Sequence, residues 1–191
     1  MIKRLIFITI CFLLIVFGVE GYRYYQQNET EIWLQIESSI AAVTLPFKIA
    51  ELGMQDPVTE IPVPVYGVRL SEIADTWGAP RPTGRGHNGV DIFAETGTPV
   101  FAATPGYVIR IGENNLGGNT VFTIGPGGIR YYYAHLDRPS SFLSIGQEVT
   151  TDTIVGYVGN TGNAAQTPPH LHFGVYNNGS ENPYLFLVDR P

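Results

Sequence analysis

The chain is poor in cysteine and in positive charge. It has one cysteine, Cys11, in 191 residues, so no intramolecular disulfide can staple the fold. Beyond residue 11 there is no thiol, which excludes thiolate zinc and iron–sulfur centres from the rest of the chain. Lysine occurs only at positions 3 and 48, and 11 basic residues stand against 17 acidic ones, for a net charge of −6. The basic footprint of nucleic-acid binding is therefore absent. No interval repeats, and no phosphate-cradling glycine loop or nucleophile-elbow serine motif is found. Glycine (22) and proline (14) are abundant without a period, which suits a turn-rich β protein and argues against a helical bundle. A hydrophobic share of 44% excludes a disordered chain.

The N-terminus is the one place with a long apolar run. Lys3 and Arg4 precede Leu5 to Val19, which carries no charge. Its length lies between a signal-peptide core of about 7–15 residues and a spanning helix of about 17–25. Tyr22, Tyr24 and Tyr25 follow at once, as in an interfacial aromatic belt, and favour an uncleaved anchor over a cleaved signal peptide. Residues 20–60 carry seven acids against Arg23 and Lys48, so the positive-inside rule keeps the short N-terminus in the cytoplasm. The body of the chain is expected to be exported to the cell envelope, attached to the membrane through residues 1–21.

Ile32, Ile36, Ile40, Val43 and Phe47 recur at helical spacing, and Pro46 is expected to end or kink that helix. Pro57, Pro62 and Pro64 read as a stiff linker, so residues 22–65 form a helical spacer and Pro-rich linker, with a domain over 66–191. Within it, Thr98–Ala103, Tyr107–Gly112, Asn119–Ile124, Ile129–Ala134, Thr153–Val158 and Leu171–Tyr176 are strand-sized runs separated by glycine-bearing breaks. The expected fold is all-β, a compact antiparallel sheet domain whose loops form a groove. Pro126-Gly127-Gly128 predicts a hairpin in which Gly125 pairs with Ile129; an unbroken register then sets Asn119 opposite His135.

All four histidines (His87, His135, His170 and His172) lie in this domain. On a strand, His170 and His172 project from one face, with Cα atoms roughly 6.5–7 Å apart. That suits one metal ligand with a neighbour beside it, two ligands on a bent strand, or a solvent-facing pair. His87 and Asp91 would be ~13 Å apart on a straight strand. The intervening Asn88-Gly89 allows a turn that unites them, since glycine tolerates positive φ. Two histidines and an aspartate leave a fourth tetrahedral position open, the arrangement of a catalytic zinc site. Two further imidazoles beside it would supply proton transfer and charge stabilisation.

These residues resemble the lysostaphin-like (LytM-type) zinc metallopeptidases, which cleave peptide cross-links of bacterial cell walls. The matching segments, in order, are His87-Asn-Gly-Val-Asp91, Gly97-Thr-Pro-Val100, Gly117-Gly-Asn119 and Tyr133-Ala-His135. They continue with Gly146-Gln-Glu-Val149, Gly156-Tyr-Val-Gly-Asn-Thr-Gly162 and Pro169-His-Leu-His172-Phe173. The resemblance implies one Zn²⁺ per chain held by His87, Asp91 and His172. It makes His135 and His170 the unliganded catalytic pair, with His170 as general base and His135 stabilising the oxyanion. Asn119 becomes a candidate to orient His135 or meet the substrate. Some relatives carry a tyrosine six residues before the first histidine, where this chain has Arg81; Arg81 and Arg85 are candidates for holding a carboxylate of a peptidoglycan stem peptide. Two other readings compete. A non-catalytic envelope module would bind wall or activate other hydrolases, but degenerate modules should lose ligands and this chain keeps all five residues. A cupin-type metal barrel would want a further histidine after the pair, and none follows His172. Oligomeric state is not legible.

Overall fold

The computed structural model describes residues 2–80, 84 and 86–191; the side chains of residues 2–16, 23–25, 27, 34, 37, 38 and 41 lie outside that description. The candidate carboxylate-binding residues Arg81 and Arg85 therefore fall outside the described residues. The chain divides into two compact units, Met1–Val43 and Thr44–Pro191. Helix α1 (Ile2–Gly53) contains the expected spacer helix but does not end at Pro46. A proline removes one backbone donor; Ala42, four residues earlier, is exposed, so water can serve its carbonyl. Among the described residues, no helix is long and apolar enough to cross a membrane.

Among the described residues eleven strands follow: β1 (Ile61–Pro62), β2 (Val90–Phe93), β3 (Pro99–Phe101), β4 (Gly106–Asn114), β5 (Gly118–Ile124), β6 (Arg130–Pro139), β7 (Glu148–Val149), β8 (Ile154–Val158), β9 (His170–Tyr176), β10 (Ser180–Glu181) and β11 (Leu187–Val188). The main sheet runs β10-β9-β6-β5-β4-β7, with β2 on β9 and β8 joining β6 to β3. All its pairings are antiparallel; the separate two-residue pair β1–β11 is parallel. The domain is thus mainly antiparallel β, and the six strand-sized runs each coincide with a strand.

The core lies on one face of β6 and β9. Tyr131, Tyr133 and Phe173 are fully buried there with Val90, Ile92 and Leu171. Tyr133 hides its hydroxyl without leaving it unpaired: the Oη accepts from the Ala103 N–H at 2.8 Å and lies 3.3 Å from Thr123 Oγ1. Ile61, Val63 and Val65, inside the stretch read as a linker, are also buried in this core. Alternation along the pleat sends Tyr132 of β6 and His170 and His172 of β9 to the opposite face.

The β5–β6 hairpin begins as its turn predicts, with the Gly125 N–H donating to the Ile129 carbonyl at 2.9 Å. Its register holds through Val121 opposite Tyr133 and then slips by one, so Asn119 lies opposite Leu136, not His135. The slip is a bulge: Ala134 and His135 together span what Thr120 spans on β5. His135 sits there at φ +60°, its N–H donating to the Gly117 carbonyl at 2.7 Å. A bulge re-aims the side chain it carries, and here that side chain is His135.

Candidate metal and active site

The five site residues are delivered by four pieces of the domain: the loop before β2, then β2, β6 and β9. His87 closes a loop: its N–H donates to Ala79 O at 3.0 Å, and its carbonyl accepts from the Gly78 N–H at 2.9 Å. Asp91 stands on β2 directly opposite His172 on β9, and Phe93 is opposite His170. His87 Nε2 and His172 Nδ1 lie 2.8 Å apart, and Asp91 Oδ1 is 3.1 Å from each. His87 and Asp91 do meet, but Gly89 does not reach positive φ to allow it. Glycine is required by crowding: a Cβ there would fall 2.5 Å from Phe173 O and 2.7 Å from His172 Cε1.

Backbone carbonyls set the imidazole tautomers. A carbonyl only accepts, so a ring nitrogen bonded to one must carry the proton. Thr76 O takes His87 Nδ1 at 2.8 Å, Pro168 O takes His170 Nδ1 at 2.9 Å, and Thr161 O takes His135 Nδ1 at 2.9 Å. In all three rings the Nε2 lone pair is left for the site. Thr76 also receives the Asp91 N–H on its Oγ1 at 3.1 Å, so one residue braces the His87 ring and the backbone that carries Asp91. Sequence reasoning missed Thr76, Pro168 and Thr161, because a backbone carbonyl leaves no signature in residue type.

His135 lies against His170 and His172, with ring centroids 5.0 and 5.8 Å away. Burial first, then the charges of His172 and His170, pull its pKa down to about 4, so the ring is neutral at pH 7. His170 Nε2 is 3.8 Å from Asp91 Oδ1. Asn119 does not orient His135: its amide Nδ2 donates to Asp137 O at 2.8 Å. Its backbone N–H donates to Thr161 Oγ1 at 2.9 Å, so it touches the residue whose carbonyl holds His135.

His87, Asp91 and His172 are the acidic and imidazole groups whose ligand atoms cluster among the described residues. Two nitrogen donors and a carboxylate oxygen, with the His87 Nδ1 proton directed to Thr76 O and Nε2 turned to the site, suit a divalent zinc ion with one open position. The residues present fit that metal. A family model described as peptidase family M23 matches residues 85–183, just over half of the chain and the whole of this site.

The chain belongs to peptidase family M23.

The relatives each match only part of the chain. Over 118 residues it is 35% identical to the L-Ala--D-Glu endopeptidase of Bacillus subtilis, a match taking in 58% of this chain and 36% of that protein. The chain therefore spans about a third of that relative's length. Among solved structures, the catalytic domain of lysostaphin from Staphylococcus simulans shares 33% identity at a TM-score of 0.52, covering 60% of this chain and 91% of that one. A zinc-containing peptidase from Vibrio cholerae shares 26% identity at a TM-score of 0.52, covering 72% and 41%. The lysostaphin-like resemblance read from the seven motifs is borne out.

Proposed function

We propose that the domain is a zinc-dependent endopeptidase that hydrolyses peptide cross-links of bacterial peptidoglycan. The observation that carries this reading is the meeting of His87 Nε2, Asp91 Oδ1 and His172 Nδ1 within 3.1 Å, beside two imidazoles that present lone pairs. His87, Asp91 and His172 would hold one zinc ion, which supplies Lewis acidity toward a carbonyl and lowers the pKa of water. His170, its Nδ1 proton committed to Pro168, accepts a proton at Nε2 and is the general base. His135 presents Nε2 from the bulge as a lone pair; only by taking up a proton released by the attacking water does that nitrogen become a donor to the developing oxyanion. The carbonyls of Thr161 and Pro168 keep both rings aimed while protons move. The rival module, one that binds wall without cutting it, is not favoured by any residue of this site.

The wall substrate is supported by the named relatives, among them the Bacillus subtilis L-Ala--D-Glu endopeptidase and lysostaphin. The N-terminal charge asymmetry supports an envelope location, with residues 1–21 as membrane anchor and the domain outside the cytoplasm.

The test is direct. The full chain, purified and zinc-loaded, is incubated with defined cross-linked muropeptides, and new termini are identified by mass spectrometry. Cleavage that stops on chelation and returns with zinc is the expected result. Intact muropeptides beside a zinc-loaded, folded protein would overturn the proposal.

A further inference from the structure

Strands β2 and β9 oppose one another in two successive steps of the site face. Asp91 faces His172, and Phe93 faces His170. Side chains two apart on a strand share a face, so Phe93 stands to His170 as Asp91 stands to His172. The Phe93 and His170 rings are 5.2 Å apart between centroids, tilted by 40°. Asp91 and His170 are buried, yet Phe93 is 55% exposed, while Ile92 between Asp91 and Phe93 is fully buried on the other face.

Beside Phe93 opens a shallow depression of roughly 520 Å³, mostly apolar, lined by Phe93, Ala94, Glu95, Thr96, Pro168 and Pro169. Pro168 belongs to this wall and also holds His170 Nδ1 through its carbonyl at 2.9 Å. The wall and the imidazole are therefore linked through one residue, and the two proline rings of the wall have little freedom to lose on binding.

A peptide that passes His170 Nε2 on the β2 side places a flanking residue near the Phe93 ring, because one extended residue advances only about 3.4 Å. A glycine there would leave the ring in water, whereas an alkyl side chain would cover it.

We propose that Phe93, backed by Pro168 and Pro169, selects substrates with an aliphatic side chain, alanine or larger, next to the scissile bond, over glycine. This rests on the endopeptidase reading above. One methyl group in an apolar site changes kcat/KM by roughly tenfold or more.

The experiment uses the full zinc-loaded chain and synthetic cross-link peptides that carry alanine or glycine on either side of the cut bond in turn. The wild type is expected to prefer alanine by about tenfold in kcat/KM at one of the two positions. Phe93→Ala brings that ratio to near unity, and Phe93→Leu, which keeps an apolar wall, retains it. A ratio unchanged in Phe93→Ala overturns the proposal while leaving the endopeptidase standing. A wild type that cuts no peptide overturns both.

Discussion

Asp91 and His172, 81 positions apart in sequence, face each other across β2 and β9, with Oδ1 and Nδ1 3.1 Å apart. The next pair on the same face, Phe93 and His170, sets an imidazole beside the ligand pair. Antiparallel pairing thus gives the two histidines of one tripeptide different neighbours.

That difference is measurable. His172→Ala removes one of three ligands, so zinc content falls, and thermal stability falls with it because metal binding is coupled to folding. His170→Ala leaves the ligand set whole and should keep close to one zinc per chain. Its turnover should drop roughly 10²–10⁴-fold, as for a lost general base. Metal analysis beside kinetics checks both; loss of zinc from His170→Ala with retention in His172→Ala would reverse the assignment.

Gly89→Ala should injure the proposed metal site without replacing any of its ligands. The new Cβ would lie 2.5 Å from Phe173 O and 2.7 Å from the His172 ring, so β9 or the imidazole must move. Zinc affinity is expected to fall by roughly 10–100-fold, the scale seen when ligand orientation is disturbed. Competition with a chromogenic chelator reads this out, and wild-type affinity would refute it.

Alkaline pH should destabilise the domain through its buried tyrosines. Burial raises the Tyr131 pKa from 10.0 to about 12 and drives Tyr133 higher still. A raised folded-state pKa means the stability is fully present below pH 10 and is lost as pH rises through 12. For Tyr131 alone that amounts to about 3 kcal/mol. Melting temperatures recorded across that window should fall steeply, and Tyr131→Phe should flatten part of the slope.

Topology is tested by fusion after Pro191. A reporter active only outside the cytoplasm should give signal, and one active only inside should stay silent; strong signal from the latter would contradict export.

Much of the domain was legible locally. Runs such as Asn119–Ile124 and Leu171–Tyr176 alternate β-favouring residues between glycine breaks, and each coincides with a strand. His170-Leu-His172 lies on one strand face, since a period of two needs no tertiary information. Other features were not legible. Val90–Phe93 is too short to announce a strand, and it exists because β9 pairs with it. The register slip at His135 was invisible from the Pro126-Gly127-Gly128 turn, since a bulge is settled by what the ladder meets several residues beyond the loop.

By itself the sequence determined the residue types of the site, their order, the strand periodicity that puts His170 beside His172, and the exclusion of thiolate chemistry. The tertiary structure decided which nitrogen His87 and His135 offer, because the carbonyls of Thr76 and Thr161 that hold their rings lie 11 and 26 positions away in sequence. It also decided that Gly89 is needed for close approach rather than for its backbone angle, and that Asn119 serves Asp137. The physical reason is common to all of these. Side-chain identity and period are local properties, whereas hydrogen-bond partners and available space arise only when distant segments are brought within a few ångströms.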